Sequence, residues 1–306
     1  MRKTAIGADI GGTHISAAVI DLTTGTPLPG SLFRNTYDHQ QAAETILDAW
    51  AEVLQSCLQI AGEDCQGIGM AIPGPFDYRN GISNMQHKFP QLFHCNVHTE
   101  LVNRLNTGQL PLRFMNDATA FAVGEAWVGA GQSFSKVVVV TLGTGFGSAF
   151  LENGIPVVHS DTVPKEGCLW HIPFKEGIAD DYFSTRWLVA AYEAKKGIRL
   201  EGAQPLAALA EKDPEVQIIF KKFGVNLGLC LEHPLRRFGA ECLIMGGNIA
   251  HASAFFQPAF ESTLYSLGYS IPIFPSKLWE EAALIGSARL LDPLFWEKVS
   301  IDFPDL

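Results

Sequence analysis

The run Ala5-Ile6-Gly7-Ala8-Asp9-Ile10-Gly11-Gly12-Thr13-His14-Ile15-Ser16-Ala17-Ala18-Val19-Ile20 decides the architecture. Residues 5–10 are a short apolar run, as in a buried strand, and Gly11-Gly12 is a turn signal. From His14 onward Ile15, Ala17 and Val19 fall on one face, so a second strand follows. Two strands flanking a Gly-Gly turn form an antiparallel pair. The second half of the chain opens the same way. Residues 137–142 read as a strand, Gly143-Thr144-Gly145-Phe146-Gly147 as a glycine turn, and 148–151 as another strand. One pattern at the head of each half predicts two related α/β domains.

Outward from these strands, Ala43, Ile46, Leu47, Trp50, Val53, Leu54, Cys57 and Leu58 recur at three- and four-residue steps, the stripe of an amphipathic helix. Short strands are expected over 67–72, running into Pro73-Gly74-Pro75, and over 112–115, ending at Asn116-Asp117. Helices are expected over 118–127, 180–195, 215–237 and 282–291, and a strand over 242–245 ending at Gly246-Gly247. No low-complexity linker divides the chain. The boundary is expected as a packed hinge at Asp117, giving domains 1–117 and 118–287, with a closing helix near 288–306 joined to the first.

The chain has 306 residues and a formal net charge of −10. An acidic surface repels phosphate backbones, which argues against a nucleic-acid partner. Cys57, Cys65, Cys95, Cys168, Cys230 and Cys242 form no C-x-x-C pair, so neither a disulfide framework nor a zinc knuckle is expected. No apolar h-region follows Met1-Arg2-Lys3-Thr4, so no signal peptide is expected; no apolar run reaches membrane length, and a cytoplasmic location is expected.

The glycine turns carry the candidate chemistry. Gly11 and Gly12 let backbone N–H groups approach an anion, Thr13 adds a hydroxyl, and Asp9 at a strand end can hold Mg²⁺ through water. A plain hairpin turn explains the same residues. Gly143, Thr144 and Gly145 repeat the composition in the same setting. The chain contains no G-x-x-x-x-G-K-[ST], and a strand follows Gly143–Gly147 where a dinucleotide fingerprint needs a helix. Asp117, between a strand and a helix, can accept a proton from a hydroxyl, while Asn116 or Asp117 can equally cap the helix. Gly246 and Gly247 leave room for a flat base, and a helix-entry turn is the plainer account.

Asp9-Ile10-Gly11-Gly12-Thr13, Pro73-Gly74-Pro75, Asn116-Asp117-Ala118 with Gly124-Glu125, Leu142-Gly143-Thr144-Gly145 and Met245-Gly246-Gly247 occur in the order found in the ROK family of sugar kinases and repressors, which the chain resembles over almost its whole length. The resemblance implies an actin-like ATPase (ribonuclease H-like) fold, two α/β domains with a cleft between them. It implies ATP and Mg²⁺ as cofactors, a sugar substrate and a homodimer. It makes Asp117 the catalytic base and Asn116 a sugar ligand. Asp9, Gly11, Gly12, Thr13, Gly143, Thr144 and Gly145 become phosphate or metal contacts, and Gly246 and Gly247 the adenosine end.

The chain departs from the family pattern around the sugar. Pro164-Lys165-Glu166-Gly167-Cys168-Leu169-Trp170-His171 resembles the family's G-E-x-G-H segment, but no cysteine cluster follows, so no structural zinc is expected. His171 matches the family histidine. Glu166 stands two residues too early and reads equally as a surface carboxylate. Asp180, where a sugar-binding Glu usually stands, is a sugar contact or a helix cap. Gly74 and His87 complete the candidate sugar ligands, His87 reading equally as surface polarity. A hexose kinase is the expected function. A sugar-binding protein without catalysis is the alternative, and a repressor is disfavoured because the first strand leaves no room for a helix-turn-helix.

Overall fold

The computed structural model describes residues 3–106, 108 and 110–301. The chain forms two compact units: Met1–Gln132 with Gly154–Pro156 and Glu280–Leu306, and Ser133–Asn153 with Val157–Trp279.

The first unit opens with β1 (Thr4–Ile10) and β2 (His14–Asp21), antiparallel across the Gly11-Gly12 turn. The short β3 (Thr26–Pro27) and β4 (Phe33–Thr36) both pair with β2. Helix α1 (Ala43–Ala61) buries Ile46, Leu47, Trp50, Val53, Leu54 and Cys57, the stripe read from the sequence. Trp50 packs edge-on to Phe89 and against Tyr37. β5 (Cys65–Ile72) lies parallel to β1, and after the hairpin β6 (Phe76–Asp77) with β7 (Ile82–Ser83) and α2 (Val97–Leu105), β8 (Leu112–Asn116) lies parallel to β5. The strand order is β3-β2-β1-β5-β8. Pairing of Asp9 with Ala71 and of Ile72 with Asn116 puts the carboxyl ends of three parallel strands side by side, where open α/β sheets bind ligands. Helix α3 (Asp117–Val128) follows β8 directly.

The second unit repeats the opening, with β9 (Lys136–Leu142) and β10 (Phe146–Glu152) antiparallel across Gly143-Thr144-Gly145. The two-residue β11 (Ile155–Pro156) belongs to the first unit. β12 (Pro173–Phe174) and β13 (Gly177–Ile178) make a small ladder before α4 (Ala179–Tyr182), α5 (Thr185–Lys196), α6 (Ala203–Ala210) and α7 (Pro214–Phe238). The helix expected over 180–195 is thus two, broken at Phe183-Ser184. β14 (Cys242–Gly246) lies parallel to β9, α8 (Ser253–Ser266) packs on α7, and β15 (Ile273–Pro275) lies parallel to β14. Phe183, Phe220, Phe223, Phe256 and Phe260 centre the core of this unit. Burial of such a side chain is worth about 1.5–3 kcal/mol.

The chain then returns to the first unit through α9 (Glu281–Ala288) and α10 (Pro293–Val299). α9 lies backbone-close to β1 and α3: a Cβ on Gly7 would come within 1.8 Å of the Leu284 carbonyl oxygen, and one on Gly124 within 2.1 Å of that of Ala282. This packing moves the boundary from the one read in the sequence. α3 stays with the first unit, the division falls after Gln132, and the returning segment begins at Glu280.

Candidate functional site

In the first unit, Asp9 is the penultimate residue of β1 and Gly11 N–H donates to the His14 carbonyl at 2.9 Å, closing the turn. The turn is held by Tyr37, whose hydroxyl donates to the carbonyls of Gly11 at 2.6 Å and His14 at 3.1 Å. Burial pushes the Tyr37 phenol up, so it remains a donor. Gly12 and Thr13 are exposed, and a Cβ on Gly12 would meet nothing within 4 Å. The turn therefore presents open space to a ligand. Burial first, then the charges of Asp117 and Glu280, raise the Asp9 carboxyl to about 7, with Arg34 opposing. Among the described residues no ion pair neutralises Asp9 or Asp117, which leaves room for a cation. No group of three or more His, Cys, Asp or Glu there could hold a metal by itself, so a metal at Asp9 depends on water or phosphate oxygens.

The two readings of Asn116-Asp117 separate onto the two residues. Asn116 is the cap: its Oδ1 accepts from the N–H groups of Ala118 at 3.0 Å and Thr119 at 3.2 Å. Its Nδ2 lies 3.3 Å from the Tyr78 hydroxyl, which donates to the Ile72 carbonyl. The acceptor side of Asn116 is thus used by the helix. Asp117, the first residue of α3, is left half-buried with one oxygen accepting its neighbour's N–H. Gly74 lies beside Tyr78, 3.3 Å separating its virtual Cβ from the hydroxyl. His87 is exposed in a bend after β7.

In the second unit, Gly143 N–H donates to the Gly145 carbonyl at 3.1 Å, and the Gly143 carbonyl accepts from both the N–H and the hydroxyl of Thr185. Gly246 pairs with Thr141, and Gly247, at φ +81°, approaches Leu142 so closely that a Cβ would lie 2.5 Å from its carbonyl oxygen. The two glycine segments are therefore neighbours. His251 stacks on Trp279 at 4.0 Å and 14°, just beyond the ends of β14 and β15. The sequence reading passed over this pair, as it did Tyr37 and Tyr78.

Asp180 is not the helix cap. One carboxylate oxygen accepts from the Phe146 N–H at 2.7 Å and the other pairs with Arg186 at 2.5 Å, so both are engaged at the end of the glycine turn. The helix-start role belongs to Asp181, which accepts from the Ile178 N–H at 3.0 Å. Glu166 pairs with Lys165 on the surface, at φ +58°. His171 is half-buried with its ring beside Trp170. Leu169 is buried, Ile172 and Phe174 are partly buried, and Trp170 is 49% exposed.

Two glycine-turn α/β units, with carboxylates at the strand ends of the first, define an actin-like ATPase fold. The ROK family model matches residues 5–293, and the chain belongs to the ROK family. It is 25% identical to a glucokinase of Thermotoga maritima, over 94% of this chain and 96% of that protein. The fold is similar to that of a ROK hexokinase from Thermus thermophilus (TM-score 0.77, 23% identity, 94% and 97% of the two chains). It is similar also to a ROK family glucokinase from Streptomyces griseus in complex with glucose and AMPPNP (TM-score 0.74, 23% identity, 94% and 98%).

Proposed function

We propose that this protein is an ATP-dependent carbohydrate kinase that phosphorylates a hydroxyl of a hexose-type sugar, with Asp117 as general base. The family and the named relatives support carbohydrate phosphorylation. The observation that carries the residue assignment is the pairing of Asp9 and Asp117, without a counter-ion among the described residues, at the carboxyl ends of β1 and β8. Asp117 is held at the start of α3 while Asn116 does the capping, so its carboxylate is available to receive the proton of an attacking hydroxyl.

Asp9 is suited to Mg²⁺ through water, and the metal supplies charge neutralisation of the transferring phosphate. Gly12, Thr13 and the Gly143–Gly145 turn offer backbone and hydroxyl donors to phosphate oxygens. Gly246 and Gly247 form the adenosine end. His171, Gly74 and the Nδ2 of Asn116 remain candidate sugar donors and walls; Glu166 and His87 are the weakest members, given their surface settings. Catalysis on this reading is mostly positioning and electrostatics. A cytoplasmic homodimer goes with it.

The test is an ATP-consumption screen over glucose, mannose, fructose, allose and N-acetylated hexosamines, with wild type and Asp117→Asn side by side. Turnover with at least one sugar that Asp117→Asn abolishes is expected. A wild type that binds sugar without consuming ATP would make it a sugar-binding protein.

A further inference from the structure

Helix α10 and the start of β8 line an open cavity of about 430 Å³ in the first unit. Its wall includes Tyr78, Arg79, His98, Leu110, Arg113 and Trp296. Arg113 projects from β8 three residues before Asn116. Its guanidinium lies 3.8 Å from the centroid of the Trp296 ring and donates to the Leu290 carbonyl. It is half-buried, and burial alone holds it below the usual guanidinium range. Among the described residues neither Arg113, Arg79 nor His98 forms an ion pair. Asp77, whose carboxylate feels the charge of Arg79, is occupied by Asn80.

A half-buried guanidinium without a carboxylate is costly unless an anion completes it. Here two guanidiniums and an imidazole line one cavity of a chain whose net charge is −10. Guanidiniums match phosphate oxygens in a two-pronged geometry, and the Trp296 ring, Leu110 and the Tyr78 ring give an organic group apolar surface. We propose that this cavity binds a small organic phosphate monoester, its phosphate on Arg79 and Arg113 and its organic part against Trp296. Tyr78 belongs to the cavity wall and places its hydroxyl 3.3 Å from Asn116 Nδ2. Occupancy therefore acts on the cap of α3, next to Asp117. This second part rests on the kinase reading; the binding does not.

The experiment is calorimetry with glucose 6-phosphate, AMP and inorganic phosphate, each titrated into protein saturated with a non-hydrolysable ATP analogue so that the glycine turns are filled. At least one ester binds wild type more tightly than inorganic phosphate does, and which one distinguishes a sugar phosphate from a nucleotide. Arg79→Ala, at an exposed position, and Arg113→Met each weaken that ester by about tenfold or more, the scale of a lost charge-assisted contact. Arg79→Ala alone decides the matter if Arg113→Met does not fold. No heat in wild type, heat unchanged in Arg79→Ala, or inorganic phosphate binding as well as both esters overturns the proposal. Because the readout is heat, a protein inactive toward every sugar leaves this result intact. In active enzyme the bound ester changes turnover at least twofold in wild type and not in Tyr78→Phe, which still binds it. Unchanged wild-type turnover overturns the coupling.

Discussion

The two glycine turns share a backbone plan and differ in what their carboxylates do. Beside Gly11-Gly12-Thr13, Asp9 and Asp117 form no ion pair among the described residues, and the turn is held by a neutral phenol, Tyr37. Beside Gly143-Thr144-Gly145, the carboxylate of Asp180 is consumed by Phe146 N–H and Arg186, and Thr185 holds the other end. A repeated motif thus separates into a part with unspent charge, fit for a proton and a metal, and a part whose charge is spent on rigidity. Rigidity is what a phosphate cradle needs, since donors fixed in advance cost no reorganisation when the ligand arrives.

The largest effect breaks the first side. Asp117→Asn is expected to lower kcat by about 10²–10⁴-fold with the KM for ATP little changed, the scale of a lost general base. Steady-state kinetics with the best sugar check it, and turnover near wild type removes Asp117 from the chemistry.

Asp9 gives the next effect, through pH. Its folded carboxyl sits at about 7 against 3.8 for the free side chain, so the folded protein binds the proton more tightly than the unfolded chain. Stability without Mg²⁺ should therefore fall as pH rises from about 4 to about 7 and level off above that. Asp9→Asn removes this slope and stabilises the metal-free protein at pH 8 by roughly 2–4 kcal/mol. Urea titrations at several pH values measure it. A wild-type slope that survives in Asp9→Asn assigns the proton elsewhere.

On the second side, Asp180→Ala is expected to raise the KM for ATP about tenfold or more, as for one charged hydrogen bond lost, and to leave the sugar KM nearly unchanged. Asp180→Asn keeps an acceptor for Phe146 N–H and should recover most of the loss. An Asp180→Ala enzyme with only its sugar KM raised returns Asp180 to the sugar. The smallest effect is Tyr37→Phe, about 1 kcal/mol in unfolding free energy for a neutral hydrogen bond. An unfolding loss of about 3 kcal/mol, the scale of a charged hydrogen bond, would erase the distinction between the turns.

Much of this comparison was legible in the sequence. Apolar runs that stop at glycines mark both turns, and Asn116-Asp117 between strand and helix marks the third strand end. What escaped reading is what distant segments supply. Tyr37 reaches Gly11 across 26 positions and Asp180 reaches Phe146 across 34, and nothing local to either residue announces the partner. The division after Gln132 was hidden for the same reason. Gly124 reads as an ordinary helical glycine until Ala282 of α9 is laid against it. The cap reading of Asp180 failed because its neighbour Asp181 is the one placed for the helix start.

The return of α9 to the first unit also orders events on the ribosome. The second unit is almost contiguous, Ser133 to Trp279 apart from Gly154–Pro156, whereas the first lacks the helix that covers Gly7 and Gly124 until Glu280 onward has been made. At roughly 5–20 residues per second, the amino-terminal strands wait on the order of 15–50 s for their cover. The first half to be translated is the last to be completed, and in that interval its open sheet face is the surface a nascent-chain chaperone would have to shield.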